Sequence, residues 1–111
     1  MLSCRREAGK EEAAMPTYVS LVNWTDQGAK NAKDTVARLD RGVETAGKYG
    51  VHARQTYWTV GPYDIVAIAE APDDESATAF LLELGTIGTV RTTTLRAYDR
   101  EEMSAILERV G

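Results

Sequence analysis

Asp64 and His52 are the side chains of this sequence best suited by type to move a proton. Asp64 ends the segment Gly61-Pro62-Tyr63-Asp64 and leads into an apolar run, Ile65-Val66-Ala67-Ile68-Ala69. At such a boundary, burial and neighbouring charge move a carboxyl pKa in either direction. Tyr63 places a phenolic donor beside it, so Asp64 is a candidate proton acceptor or ligand-orienting carboxylate. A turn carboxylate also accepts backbone N–H groups, and that structural role stands beside the chemical one. His52 is the single histidine. An imidazole facing an enclosed space carries protons near neutral pH, but a strand-end histidine more often makes one ordinary hydrogen bond. Asn23, Trp24, Tyr57 and Trp58 join Tyr63 and Asp64 as the candidate wall of a ligand-binding site.

Other chemistries find little support. No Walker loop, dinucleotide fingerprint or nucleophile elbow is present. One histidine and one cysteine, Cys4, exclude a His-rich or thiolate metal cage and an internal disulfide. Asp73-Asp74-Glu75 is explained by the preference of a helix start for negative charge, and Thr92-Thr93-Thr94 by strand preference. Neither a metal nor a cofactor is therefore expected. Thirteen Lys and Arg against seventeen Asp and Glu give a formal charge of −4, which exerts no general pull on nucleic acid or anionic lipid. No apolar run approaches the roughly 20 residues that span a bilayer. A cytoplasmic protein is the simplest expectation.

The elements that position these residues follow from periodicity. A length of 111 residues with 43% apolar content fits one domain. Residues 1–14 are crowded with charge and lack an apolar signal core, so they read as a disordered or weakly ordered extension, with Met15 as an alternative start. The single folded domain is expected over 15–111. Thr17 to Trp24 is rich in β-branched and aromatic residues and predicts a strand. Thr25 or Asp26 then caps a long helix whose apolar stripe is Ala29, Ala32, Val36, Leu39, Val43 and Ala46, with Gly47 and Gly50 at its end.

Val51 to Val60 predicts a second strand and Ile65 to Ala69 a third, apolar on both faces. Pro72 and the following acids open a second long helix with Ala77, Phe80, Leu81 and Leu84 inward, closed by Gly85 and Gly88. Thr89 to Tyr98 predicts a fourth strand, and Asp99 caps a last helix with Met103, Ile106, Leu107 and Val110 on one face. The order β-α-β-β-α-β plus a C-terminal helix is the ferredoxin-like α+β arrangement: a four-stranded antiparallel sheet with both long helices on one face.

Two helices cover one side of four strands, yet bulky groups occur at both parities: Tyr18, Val22 and Trp24 on one, Val19 and Leu21 on the other. An apolar open face predicts that the sheet packs against another copy. A partly polar, partly aromatic space between two such sheets is a natural place for a small ligand.

Met15-Pro16-Thr17-Tyr18-Val19-Ser20-Leu21-Val22-Asn23-Trp24-Thr25, followed by Gly61-Pro62-Tyr63-Asp64, resembles the bacterial GYD-domain family, here with Pro62 inserted into the Gly-Tyr-Asp signature. The resemblance spans about Met15 to Leu107. It implies a ferredoxin-like, dimeric α/β-barrel protein and the positions Gly61, Tyr63 and Asp64, and it implies no activity. The expected function is a small-molecule-binding or sensing homo-oligomer. One alternative is a cofactor-independent oxygenase or isomerase, using His52 and the wall named above in an inter-sheet cavity. The other is a trimeric module resembling PII-like regulators, which the short Gly61-Pro62 turn disfavours because it leaves no long nucleotide-gripping loop.

Overall fold

The computed structural model describes residues 15–111; the N-terminal extension and Cys4 lie outside the described residues. The elements are β1 (Thr17–Trp24), α1 (Asp26–Lys30), a 3-10 turn (Ala32–Asp34), α2 (Thr35–Lys48), β2 (His52–Trp58), β3 (Ile65–Glu70), α3 (Asp74–Ile87), β4 (Val90–Ala97) and α4 (Arg100–Leu107). The strands form one antiparallel sheet in the order β2-β3-β1-β4. This is the expected ferredoxin-like α+β topology, with α2 and α3 layered on one face.

The caps are where side-chain chemistry places them. The Thr25 hydroxyl accepts from Gly28 N–H at 3.2 Å, and the Asp73 carboxylate accepts from Ser76 N–H at 2.7 Å. Asp99 forms a capping box with Glu102 at the start of α4. Gly88 ends α3 in the left-handed region at φ +86°, where a Cβ would be strained.

The first helix departs from expectation. Its predicted stripe is cut at Asn31, whose φ of −110° and ψ of +35° leave helical geometry. The Asn31 side chain donates to Gln27 O at 3.0 Å, and Arg38 donates to Asn31 O at 2.6 Å. Asparagine competes with the helix through such local bonds, so Ala29 and Ala32 sit on separate short turns and Ala29 is exposed.

A compact core of Tyr18, Ala46, Val51, Ala71 and Ala77, flanked by Tyr49 and Phe80, closes one end of the space between sheet and helices. On the far side of the sheet, alternation brings out Val19, Leu21, Val66, Ile68, Leu95 and Tyr57. Val19 stands between Ile68 and Leu95, and Leu21 lies opposite Val66, which in turn faces Tyr57. No helix of the fold's two-helix layer reaches this face. α4 and the residues after it are weakly held, with Met103 and Leu107 of the helix at 44% and 55% exposure and Val110 beyond it at 71%.

Candidate functional site

The signature turn is a clamp at the end of the sheet. The last β1–β3 register pair is Val22 with Ile65. One residue earlier, Asp64 N–H donates to Val22 O at 2.8 Å, and its carboxylate accepts from Trp24 N–H at 2.9 Å. The side chain thus supplies one further acceptor where the β3 backbone has already turned away. Thr59 N–H donates to Asp64 O at 2.9 Å, and the Thr59 hydroxyl donates to Tyr63 O at 2.6 Å. Gly61, at φ +141°, gives the turn a conformation that side chains resist.

The proposed wall residues divide between regions. Trp24 and Trp58 lie on the helix side. The Trp58 indole N–H donates to the Thr35 hydroxyl at 3.0 Å, at the start of α2. Asn23 and Tyr57 lie at the opposite parity, on the open face. His52 is exposed and pairs with Glu70 at the far end of the β2–β3 hairpin from Asp64. Six residues of strand separate those ends, roughly 20 Å at about 3.3 Å per residue. Within one subunit, His52 and Asp64 are too far apart to share a reacting atom. Among the described residues no group of three or more His, Cys, Asp and Glu side chains is placed to hold a metal ion.

What periodicity alone did not reveal is a cavity of about 340 Å³ between the helices and the sheet. Its floor is recessed because register aligns three small residues on neighbouring strands, Thr56, Ala67 and Ser20, with Thr94 continuing the row beyond the cavity. Ser20 and Thr94 share a hydrogen bond of 2.8 Å, so their hydroxyls satisfy each other. Leu39 and Val43 of α2 and Phe80 and Leu84 of α3 form the roof. Trp24 lines one end, and its buried indole Nε1 has no hydrogen-bond partner. An adjoining cleft of about 460 Å³ runs past Gly85, Gly88 and Arg91.

At the opposite end the Tyr18 hydroxyl donates to the Asp74 carboxylate. Burial, reinforced by that bond, pushes the Tyr18 phenol up to about 12. Arg96 covers this edge, its guanidinium 4.5 Å from the Tyr98 ring centre and 5.8 Å from that of Tyr18. The Tyr49 phenol, bonded to Glu83, is also raised, while Ser76, through its backbone N–H first and then its side chain, holds Asp73 below the usual carboxylate value.

A ferredoxin-like α+β domain with a carboxylate-clamped hairpin is the class that these features define. The family model of the GYD domain matches residues 18–107, and the chain belongs to that family. A protein of Thermus thermophilus described as a glutamine synthetase and cystathionine beta-lyase binding protein is 33% identical over 95 residues. That match covers 85% of this chain and 100% of the relative. The crystal structure of MtbAldR (Rv2779c) shares the fold, with a TM-score of 0.62 at 17% identity over 80% of this chain; the chain spans 57% of that protein's length. The crystal structure of TTHA0845, also from Thermus thermophilus, is 24% identical over 77% of this chain and 95% of its own, with a TM-score of 0.49.

Proposed function

We propose that this chain is a cytoplasmic, non-catalytic binding or sensing protein of the GYD type that works as a homo-oligomer, most simply a two-fold dimer. The observation that supports this is the apolar open face: Leu95 and Tyr57 are 49% and 53% exposed beside Val19, Leu21, Val66 and Ile68. A contiguous apolar patch of this kind is characteristic of an interface, and a self-complementary face closes under two-fold symmetry. The separation of His52 from Asp64, and the commitment of Asp64 to Trp24 N–H, favour binding over catalysis. The relative's description extends the reading to protein partners: an enzyme of the glutamine synthetase or cystathionine β-lyase kind docks on the assembled oligomer.

The test is mass measurement by light scattering at micromolar concentration, with Leu21→Asp as the perturbation. A dimer or larger oligomer that dissociates in the folded variant is expected. A wild-type monomer across the concentration range overturns the proposal. So does an oligomer whose mass Leu21→Asp leaves unchanged. Surface-immobilised glutamine synthetase and cystathionine β-lyase then test the partner class.

A further inference from the structure

We infer that the cavity between helices and sheet binds a compact, largely apolar molecule carrying an oxygen acceptor at one end, and that this oxygen takes the Trp24 indole N–H. Four observations carry the inference. The volume of about 340 Å³ lies within the roughly 300–1,000 Å³ range of small-molecule sites. The floor is built from small side chains in one cross-strand row, Thr56-Ala67-Ser20, so the space is set by register. Buried donors nearly always have an acceptor, and Trp24 Nε1 has none. Finally, among the described residues no carboxylate lines the cavity, and the charged side chains that do are Arg38 and Arg41.

The charge distribution sets the ligand class. Arg38 donates to Asn31 O at 2.6 Å and to Gly28 O at 3.2 Å, which uses two of its five N–H donors. Gly28 also abuts Trp24, whose Cβ lies 3.3 Å from where a Gly28 Cβ would stand. The guanidinium and the indole therefore serve the same end of the cavity. An oxygen there, neutral or carrying one negative charge, meets two kinds of donor. An ammonium group there meets a cation and no carboxylate among the described residues. The apolar body lies along Leu39, Val43, Phe80 and Leu84, where hydrocarbon lining favours apolar groups over water. Val43 is 42% exposed and marks the way in between the helices.

The inference is independent of oligomerisation, so the experiment is run on both wild-type and Leu21→Asp protein. Octanoate and octan-2-one are the probes, octylamine is the control, and the two indole N–H signals are followed by ¹⁵N NMR. Millimolar octanoate or octan-2-one is expected to move the Trp24 signal and leave that of Trp58, whose N–H already has an acceptor, in place. Trp24→Phe, which keeps an aromatic ring and loses the donor, is expected to weaken binding about tenfold. Ala67→Leu fills the floor and is expected to abolish binding in a folded protein. If that variant does not fold, Gly42→Leu serves the same end, because a Cβ at Gly42 meets nothing within 4 Å. The inference fails if neither oxygen probe moves the Trp24 signal, or if octylamine binds as tightly. It also fails if Trp24→Phe binds undiminished, if the filled variants retain binding, or if the shifts map to Val19, Leu21 and Leu95 on the open face.

Discussion

Asp64→Ala will lower stability because it strips the ladder of its last acceptor. The Trp24 N–H, now satisfied at 2.9 Å by the carboxylate, loses its partner where β1 runs past the end of β3. An unsatisfied buried amide costs about 1–3 kcal/mol, and the half-buried position of Trp24 puts this one at about 1–2 kcal/mol. Asp64→Asn keeps an acceptor oxygen but not its charge. Since charge-assisted bonds are roughly twice as strong as neutral ones, about half that loss is expected. For a domain of this size 1 kcal/mol corresponds to about 4–8 °C in Tm, so alanine lowers the midpoint by roughly 5–15 °C and asparagine by a few degrees. The assay is thermal unfolding followed by circular dichroism at two protein concentrations, because the midpoint of a homo-oligomer moves with concentration. If the alanine variant melts with wild type, the clamp contributes nothing. If asparagine is as damaging as alanine, the negative charge matters for a reason other than the Trp24 hydrogen bond. Either result refutes the reasoning.

Two further substitutions probe the ends of the same sheet. Gly28→Ala places a Cβ 2.1 Å from Thr89 O, which is itself held by Thr25 N–H at 3.1 Å. The backbone must move, a cost of about 1–3 kcal/mol that a denaturant midpoint will show and a wild-type midpoint would contradict. The raised phenol of Tyr18 is favoured in its neutral form by folding. Its stabilising contribution is therefore complete below the unfolded value of 10.0 and is lost as pH rises from there through about 12. Absorbance titration of the phenolates should show a late fraction, to which the raised Tyr49 also contributes, and Tyr18→Phe should remove one of the five tyrosines from it. Identical curves for the two proteins would argue against the Tyr18–Asp74 contact.

Most of the architecture was legible in local pattern, because caps and turns act within a few residues of where they are written. Thr25, Asp99 and Gly88 behave as their chemistry demands, and the apolar run at Ile65 is a strand. The break at Asn31 was not legible, since an i, i+3, i+4 stripe also continues through a residue whose side chain prefers the backbone of its own turn. The site was only half legible. Asp64 and Trp24 were singled out as types, but their contact joins positions 40 apart through side chain and backbone, and no periodicity carries that information. Nor does periodicity reveal a row such as Thr56-Ala67-Ser20. Each of those residues is ordinary on its own strand, and the recess exists only once two registers are fixed, one of them shifted by the irregularity between Ala53 and Gln55.

The two sides of the sheet separate the two roles assigned to it. Because side chains alternate, Val19 and Leu21 on β1 belong to the open face, while Ser20, Val22 and Trp24 belong to the cavity. A wall combining Asn23 and Tyr57 with Trp24 and Trp58 would have to pass through the backbone, so the inter-sheet chamber suggested by composition cannot be lined by all of them in one subunit. Parity then becomes a rule for reading substitutions. Odd positions of β1 should affect self-association and spare occupancy of the cavity, and even positions should do the reverse. Asp64 is the exception that follows from its geometry, because its carboxylate holds the backbone of Trp24 and so fixes the strand end on which both faces depend.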